Sequence, residues 1–282
     1  MTAPRAEPED DRDPRRRHYR VERALADRIR DASPGERRGL YGRLYDELFR
    51  AVPDHPQLLR RADRGGAALG WKLALLRPYI SPATRFLEIG AGDARLSLEL
   101  AGRAASVTAI DVSDIVLDRQ AAPGNFSLLL TDGVSVPVPP GSIDLAFSNQ
   151  LMEHLHPDDA CEQITNIREA LAPGGLYVCV TPNRLSGPHD VSRDYSDVAS
   201  GLHLKEYTHR ELSRLFTRAG FLEPRSFMWG RGMLGRAVPL PPAAIASLER
   251  LLEAAPAPIR RAVCRRPPLR GLLGIIMTAR RP

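Results

Sequence analysis

Two periodicities divide the chain. Between about residues 20 and 80, apolar side chains recur at helical intervals. Leu40, Tyr41, Leu44, Tyr45, Leu48, Phe49 and Val52 fall on one helical face, behind the capping box Ser33-Pro34-Gly35-Glu36 with proline at its first helical position. Asp54-His55-Pro56 breaks that helix, and a further helical stretch includes Leu58, Leu59, Ala62 and Leu69 to Ile80, with Gly65-Gly66 as its weak point. From 84 to 182 the pattern changes to short apolar runs separated by helix-like segments. The runs cover 86–89, 107–110, 126–130, 143–148 and 176–180, and helices are expected over about 92–103, 113–121 and 157–171. Such alternation predicts right-handed βαβ crossovers and a parallel sheet.

The residues that end these runs are polar. Glu88 closes the first, followed by the turn Gly90-Ala91-Gly92-Asp93, where two glycines allow a sharp bend and close approach to a ligand. Asp111 ends the second run, Thr131-Asp132 follows the third and Asn149 follows the fourth. Open α/β sheets bind ligands at the carboxyl ends of their strands, so this set marks a site more specifically than the glycines do.

Residues 86–183 resemble a class I S-adenosylmethionine (SAM)-dependent methyltransferase of the ubiquinone-pathway O-methyltransferase type. The resemblance rests on Glu88-Ile89-Gly90-Ala91-Gly92, Asp111, Thr131-Asp132, Asn149 to Leu155 and Leu171-Ala172-Pro173-Gly174-Gly175, in the family's order. It implies a Rossmann-like, seven-stranded, mostly parallel sheet with an antiparallel last strand lying between strands five and six. It also implies that Gly90 and Gly92 pass under the methionine part of SAM, that Asp111 binds the ribose and that Asp132 binds the adenine amino group. Glu88, Val112, Gly133 and Asn149 belong to the same expected cofactor site. A nicotinamide-dinucleotide binder is the competing reading, but it expects a third glycine where Arg95 stands and no acid at the phosphate-binding turn.

Beyond this core, the charged, proline-containing residues 1–19 are expected to be a disordered tail, 20–80 an N-terminal helical extension, and 81–282 the SAM-binding domain. Strands are expected over 222–229 and 272–279, and the connection over about 231–270, with an amphipathic helix near 243–254, is an insertion on the minimal pattern. The irregular stretch 184–206 holds two histidines and begins beside the methyl site, so it is expected to act as a moving gate.

Composition narrows the class. Hydrophobic residues at 43% and charged residues at 26% are globular values, and the 282 residues are enough for one large α/β domain. Net charge is +6, concentrated where eight arginines face only Glu249 and Glu253 between 249 and 282. That excess reads as a solvated basic segment. Cys161, Cys179 and Cys264 are far apart in sequence and suggest no disulfide framework. No apolar run approaches the roughly 20 residues of a membrane span, and no signal peptide is evident, so a cytoplasmic protein is expected.

Methyl transfer needs an aligned acceptor and, for oxygen or nitrogen, a base within hydrogen-bond reach. His154, His203 and His189 are the candidates. The resembling metal enzymes carry Glu-x-x-Glu-His where this chain has Gln150-Leu151-Met152-Glu153-His154, so no metal is expected. The expected reaction is methylation of an oxygen on a small-molecule acceptor. The alternatives are an RNA methyltransferase and a non-catalytic SAM-binding interaction protein. Oligomeric state is not legible.

Overall fold

The computed structural model describes residues 13–62, 67–115, 122–228 and 237–282. Helix α1 (Pro14–Asp31) starts before the expected end of the charged tail, because Asp13 caps it by accepting a hydrogen bond from Arg15 N at 2.9 Å, with proline behind the cap. Residues 14–19, expected to belong to the disordered tail, are therefore helical, and residues 1–12 lie outside the described residues. Leu25, Ala26 and Ile29 bury one face of α1, a spacing that charge content alone conceals. Helix α2 (Pro34–Ala51) follows with the expected capping box, then α3 (Pro56–Ala62) and α4 (Ala67–Leu76).

The strands are β1 (Arg85–Ile89), β2 (Ser106–Asp111), β3 (Phe126–Leu130), β4 (Ile143–Asn149), β5 (Leu171–Thr181), β6 (Leu222–Met228), β7 (Val238–Pro239) and β8 (Ile275–Arg280). They form one sheet in the order β3-β2-β1-β4-β5-β8-β6-β7. Strands β1 to β5 pair in parallel, whereas β8 runs antiparallel to both β5 and β6, the expected insertion of the last strand. The eighth strand is β7, a two-residue edge pairing with β6 that leaves no periodic signal in sequence. Chain order reverses between β1 and β4, so the crevice outside their carboxyl ends is the topological switch point.

Adjacent residues on β1 face opposite layers. Leu87 and Ile89 join Tyr41, Leu44, Leu48, Ala146 and Tyr177 in one buried cluster, while Phe86 joins Leu96, Leu100, Val107, Leu145 and Phe147 in another. Helix α5 (Arg95–Ala101) covers the second face, and α6 (Pro157–Ala170) and α7 (His209–Arg218) cover the first. Of the helix expected over 113–121, residues 116–121 lie outside the described residues and 113–115 are not helical.

The insertion contains α8 (Pro242–Glu253), α9 (Ala257–Cys264) and α10 (Leu269–Leu273) among its described residues. Helix α10 takes up the first residues of the strand expected over 272–279, and β8 starts only after Gly274. Leu185, Leu252, Cys264 and Leu273 form a separate small core, which seats these helices on the segment after β5. No helix among the described residues is long and apolar enough to cross a membrane.

Candidate functional site

The turn after β1 bends through Gly90 (φ +69°) and Gly92 (φ +58°) before α5 begins at Arg95. A Cβ at Gly90 would meet the Leu151 side chain at 3.1 Å, whereas one at Gly92 would meet nothing within 4 Å. Gly92 thus borders open space, the cradle a ligand needs. Asp111 holds the turn in place: its Oδ2 accepts from Gly92 N at 2.7 Å, and its Oδ1 accepts from Val112 N at 2.7 Å and Ser113 N at 3.3 Å. Burial pushes the Asp111 pKa up, against the pull of these three N–H groups. A carboxylate has about four acceptor positions, so Asp111 keeps capacity for a ligand hydroxyl.

Gly90, Gly92, Asp111, Val112, Gly133 and Asn149 all line one cavity of about 560 Å³. Two expected cofactor residues do not. Glu88 lies behind the turn, where its Oε2 accepts from Ser97 Oγ at 2.6 Å, and burial pushes its pKa up to about 7. Asp132, expected at the adenine, is engaged by protein groups instead. Val134 N and Ser135 N donate to its Oδ1 at 2.9 and 2.6 Å, and Ser135 Oγ and Arg38 Nη1 donate to its Oδ2 at 2.9 and 3.1 Å. Burial opposes the charge on Asp132, but these bonds still hold its pKa below the ordinary value. An acid just after a strand can serve its own turn as readily as a ligand, and the sequence does not distinguish the two.

The roof of the cavity comes from α2. Tyr41, Tyr45 and Phe49 line it, and the Tyr41 ring lies so close to Gly133 (φ +85°) that a Cβ there would sit 3.0 Å away. Tyr41 Oη donates to Asp159 Oδ2 at 2.7 Å and accepts from His156 N at 3.0 Å. The helical periodicity placed Tyr41 and Tyr45 in a core, yet both also line the cavity. Phe49, Gln57, Lys72, Arg95 and Gln150 complete much of its wall and were not anticipated as site residues. Phe49, Gln57 and Lys72 belong to the N-terminal extension, where no strand end points to a site. Gln150 adopts φ +56°, which no local sequence signal announces.

Of the three candidate histidines, only His154 lines the cavity. Its Nδ1 lies 3.0 Å from Leu202 O, and its ring meets His203 edge-on at 4.8 Å. Burial first, and His203 second, push the His154 pKa down to about 3, so its imidazole is neutral. His203 sits behind it, with Nδ1 2.7 Å from Glu206 Oε1. Burial works against a charge on His203, but the bond to Glu206 and the nearby Glu153 carboxyl raise its pKa overall. His189 faces Ser186 Oγ and Asn183 O through Nε2, at 3.0 and 3.1 Å, outside the cavity lining.

Glu153, His154 and His203 present ligand atoms within 4.8 Å of one another, a set able to hold a cation. Thr181 Oγ1 donates to Glu153 Oε2 at 2.8 Å, Oε1 has no partner, and burial pushes the Glu153 pKa up to about 7. The stretch 184–206 is bonded to the body along its length rather than free. Leu202 N donates to Glu22, Lys205 N donates to Glu153 O, and Tyr195 stacks on Tyr19 at 4.6 Å, while within the segment Asp190 Oδ2 accepts from Gly201 N. The expected gate is thus observed as a packed, hydrogen-bonded segment.

A methyltransferase-domain family model matches residues 17–222. Over 162 residues the chain is 27% identical to the biotin biosynthesis bifunctional protein BioHC of Cellvibrio japonicus, covering 54% of this chain and 30% of that one. A probable S-adenosylmethionine-dependent methyltransferase of Mycolicibacterium smegmatis is 30% identical over 86 residues, 30% of this chain and 31% of its own length. Phosphoethanolamine N-methyltransferase 1 of Triticum aestivum is 32% identical over 110 residues, 36% of this chain and 22% of its own length. The chain therefore spans less than a third of the length of each of these relatives.

Among solved structures, a putative methyltransferase of Haloferax volcanii in complex with the Trm112 methyltransferase activator has a TM-score of 0.54 at 18% identity, covering 78% of this chain and 94% of that one. Haemonchus contortus phosphoethanolamine N-methyltransferase 2, bound to phosphomonomethylethanolamine and S-adenosylhomocysteine, has a TM-score of 0.51 at 16% identity, covering 76% and 53%. At such identities these two show the fold.

Proposed function

This chain belongs to the methyltransferase-domain family, and from that premise we propose that it methylates an oxygen of a small-molecule acceptor in the cavity beneath α2. Its methyl donor is SAM, which supplies an electrophilic methyl group on a sulfonium. The residues present fit that donor: Gly92 borders open space, and Asp111 combines three backbone N–H partners with remaining acceptor capacity. In this reading Asp111 holds the ribose hydroxyls, Gly90 and Gly92 pass beneath the methionine part, and Val112, Gly133 and Asn149 flank the nucleoside.

The observation that carries the acceptor class is the cavity itself. At about 560 Å³, with an aromatic roof of Tyr41, Tyr45 and Phe49 over a wall that carries Lys72, Arg95 and Asp111, it has the dimensions of a small-ligand site. The arginine-rich segment over 249–282 contributes nothing to its lining, which favours a small molecule over RNA. In this reading neutral His154, on the wall of the same cavity, accepts a hydrogen bond from the acceptor hydroxyl and orients its lone pair toward the methyl carbon.

The test is incubation with isotope-labelled SAM and a fractionated cell extract, followed by mass spectrometry of the labelled product. Label on an oxygen of a small molecule is expected. Label in RNA or on an amine would replace this acceptor class, and no label in any fraction, with SAM bound, would favour a binding protein.

A further inference from the structure

Helix α1 lies outside the sheet, yet one of its carboxylates reaches the chemistry through two hydrogen bonds. Glu22 is 7% exposed. Its Oε1 lies 2.7 Å from His18 Nε2, and because a carboxylate only accepts, the imidazole donates. Its Oε2 accepts from Leu202 N at 3.1 Å. Leu202 O in turn lies 3.0 Å from His154 Nδ1. A carbonyl also only accepts, so His154 carries its proton on Nδ1 and its lone pair on Nε2.

The residue before Leu202 is built for this approach. A Cβ on Gly201 would lie 2.5 Å from Glu22 Oε2 and 2.8 Å from Asp190 Oδ2. Only glycine lets the two carboxylates grip consecutive backbone N–H groups, Asp190 taking Gly201 N at 2.8 Å and Glu22 taking Leu202 N. His18, Glu22 and His55 also bring ligand atoms within 4.8 Å, which suggests a cation site. The donor set argues otherwise. His55 Nδ1 accepts from Gln57 N at 3.2 Å, so its proton lies on Nε2, the nitrogen that faces Glu22 Oε1 at 3.9 Å. Glu22 is thus ringed by hydrogen-bond donors rather than by ligands sharing an ion.

We propose that Glu22 is a positioning residue, which fixes the tautomer and ring orientation of His154 by clamping Leu202. The proposal rests on His154 facing the acceptor, and it adds a role for a helix that contributes no described residue to the cavity wall. Without the clamp, Leu202 O is free to move, and the His154 proton can exchange between its two nitrogens.

The test uses ¹⁵N-edited NMR of the imidazoles in the full chain with S-adenosylhomocysteine, together with steady-state kinetics. Wild type is expected to show His154 as the Nδ1–H tautomer alone. Glu22→Ala should give a tautomer mixture and lower kcat about tenfold, with the KM for SAM unchanged. Glu22→Gln, whose amide oxygen still accepts from Leu202 N, should keep most of both properties. Should Glu22→Ala fail to fold, Gly201→Ala separates the same contact while leaving α1 intact, and the same mixture is expected. A folded Glu22→Ala or Gly201→Ala protein with an unchanged Nδ1–H signal would overturn the proposal, as would Glu22→Gln behaving like Glu22→Ala. If His154→Ala turns over normally while the tautomer shift occurs, the clamp stands and the acceptor reading of His154 falls.

Discussion

Arg37 and Asp159 meet as a two-pronged buried pair, Nε to Oδ2 and Nη2 to Oδ1, both at 2.7 Å. Arg37 is 3% exposed and belongs to α2; Asp159 is also 3% exposed and belongs to the first turn of α6. The pair therefore fastens the cavity roof to α6, one of the helices that cover the sheet. Asp159 additionally accepts from Tyr41 Oη, so one carboxylate fixes both the helix and an aromatic side chain of the roof.

Arg37→Ala should leave Asp159 buried without its cation. Breaking such a pair costs about 3–5 kcal/mol, far more than an exposed ion pair contributes. Urea denaturation is expected to show a loss of that size. Affinity for S-adenosylhomocysteine should fall in the same variant, because Tyr41 and Tyr45 lose their placement. A stability change under about 1 kcal/mol would mean that the helix is held by its apolar face alone.

Asp111 and Asp132 are expected to part company on mutation. Asp111→Ala should weaken S-adenosylhomocysteine by about 2–3 kcal/mol, nearly a hundredfold in Kd, as charge-assisted bonds to the ribose and the hold on Gly92 are lost. Asp132→Ala should lower Tm but change Kd little, since the carboxylate serves Val134, Ser135 and Arg38. Calorimetric titration of both variants decides. Equal losses of affinity would return Asp132 to the adenine.

The buried Glu88 gives stability a pH dependence of definite sign. Its carboxyl ionises near 4.5 when exposed and at about 7 in the fold, where burial is the leading cause. Between those values the unfolded chain releases the proton first, so stability falls as pH rises from about 4.5 to 7 and then stays level. The penalty is on the order of 3 kcal/mol. Glu88→Gln keeps an oxygen for Ser97 Oγ and never ionises, so it should raise Tm at pH 8 and leave it near wild type at pH 4.5. Thermal melts across that range test the sign. A variant less stable at pH 8 would mean that the ionised form is favoured by Lys72 more than burial disfavours it.

Turnover is expected to survive chelation. The bond to Glu206 and the nearby Glu153 carboxyl raise the His203 pKa despite its burial, which opposes the loss of the proton that binding an ion there would require. Gln150 offers only a neutral carbonyl where a second carboxylate would strengthen a hard-cation site. Activity should be unchanged after EDTA and dialysis, while excess Zn²⁺ should compete for His154 and His203 and inhibit. Loss of activity restored by one added ion would make Glu153, His154 and His203 its ligands.

Strand ends were legible because parallel strands are continuous apolar runs, and a polar residue closing each run stands out. That reading located Gly90, Gly92, Asp111 and Asn149 on the cavity wall. It could not tell which acids face inward, since Asp132 and Asp111 end their runs alike and differ only in what surrounds them. Lys72 and Gln57 were illegible for another reason: their helices approach the site through tertiary packing across the sheet's end, a relation that no local spacing records. The segment 184–206 was legible as irregular but not as packed. Its irregular sequence suggested motion; its backbone is held by its own Asp190 and Glu206 and by Glu22 from the distant α1, partners that no local spacing records.

A ribosome delivers β6 before the strand that holds it. Strand β8 lies between β5 and β6, so β5 keeps an open edge, and β6 has no neighbour linking it to the sheet, until residues 275–280 have left the exit tunnel. During that interval the nascent chain carries unpaired strand edges of the kind that template misassembly. Synthesis speed and chaperone supply between the emergence of β6 and that of β8 should therefore govern the yield of folded protein more than events at the N-terminal helices.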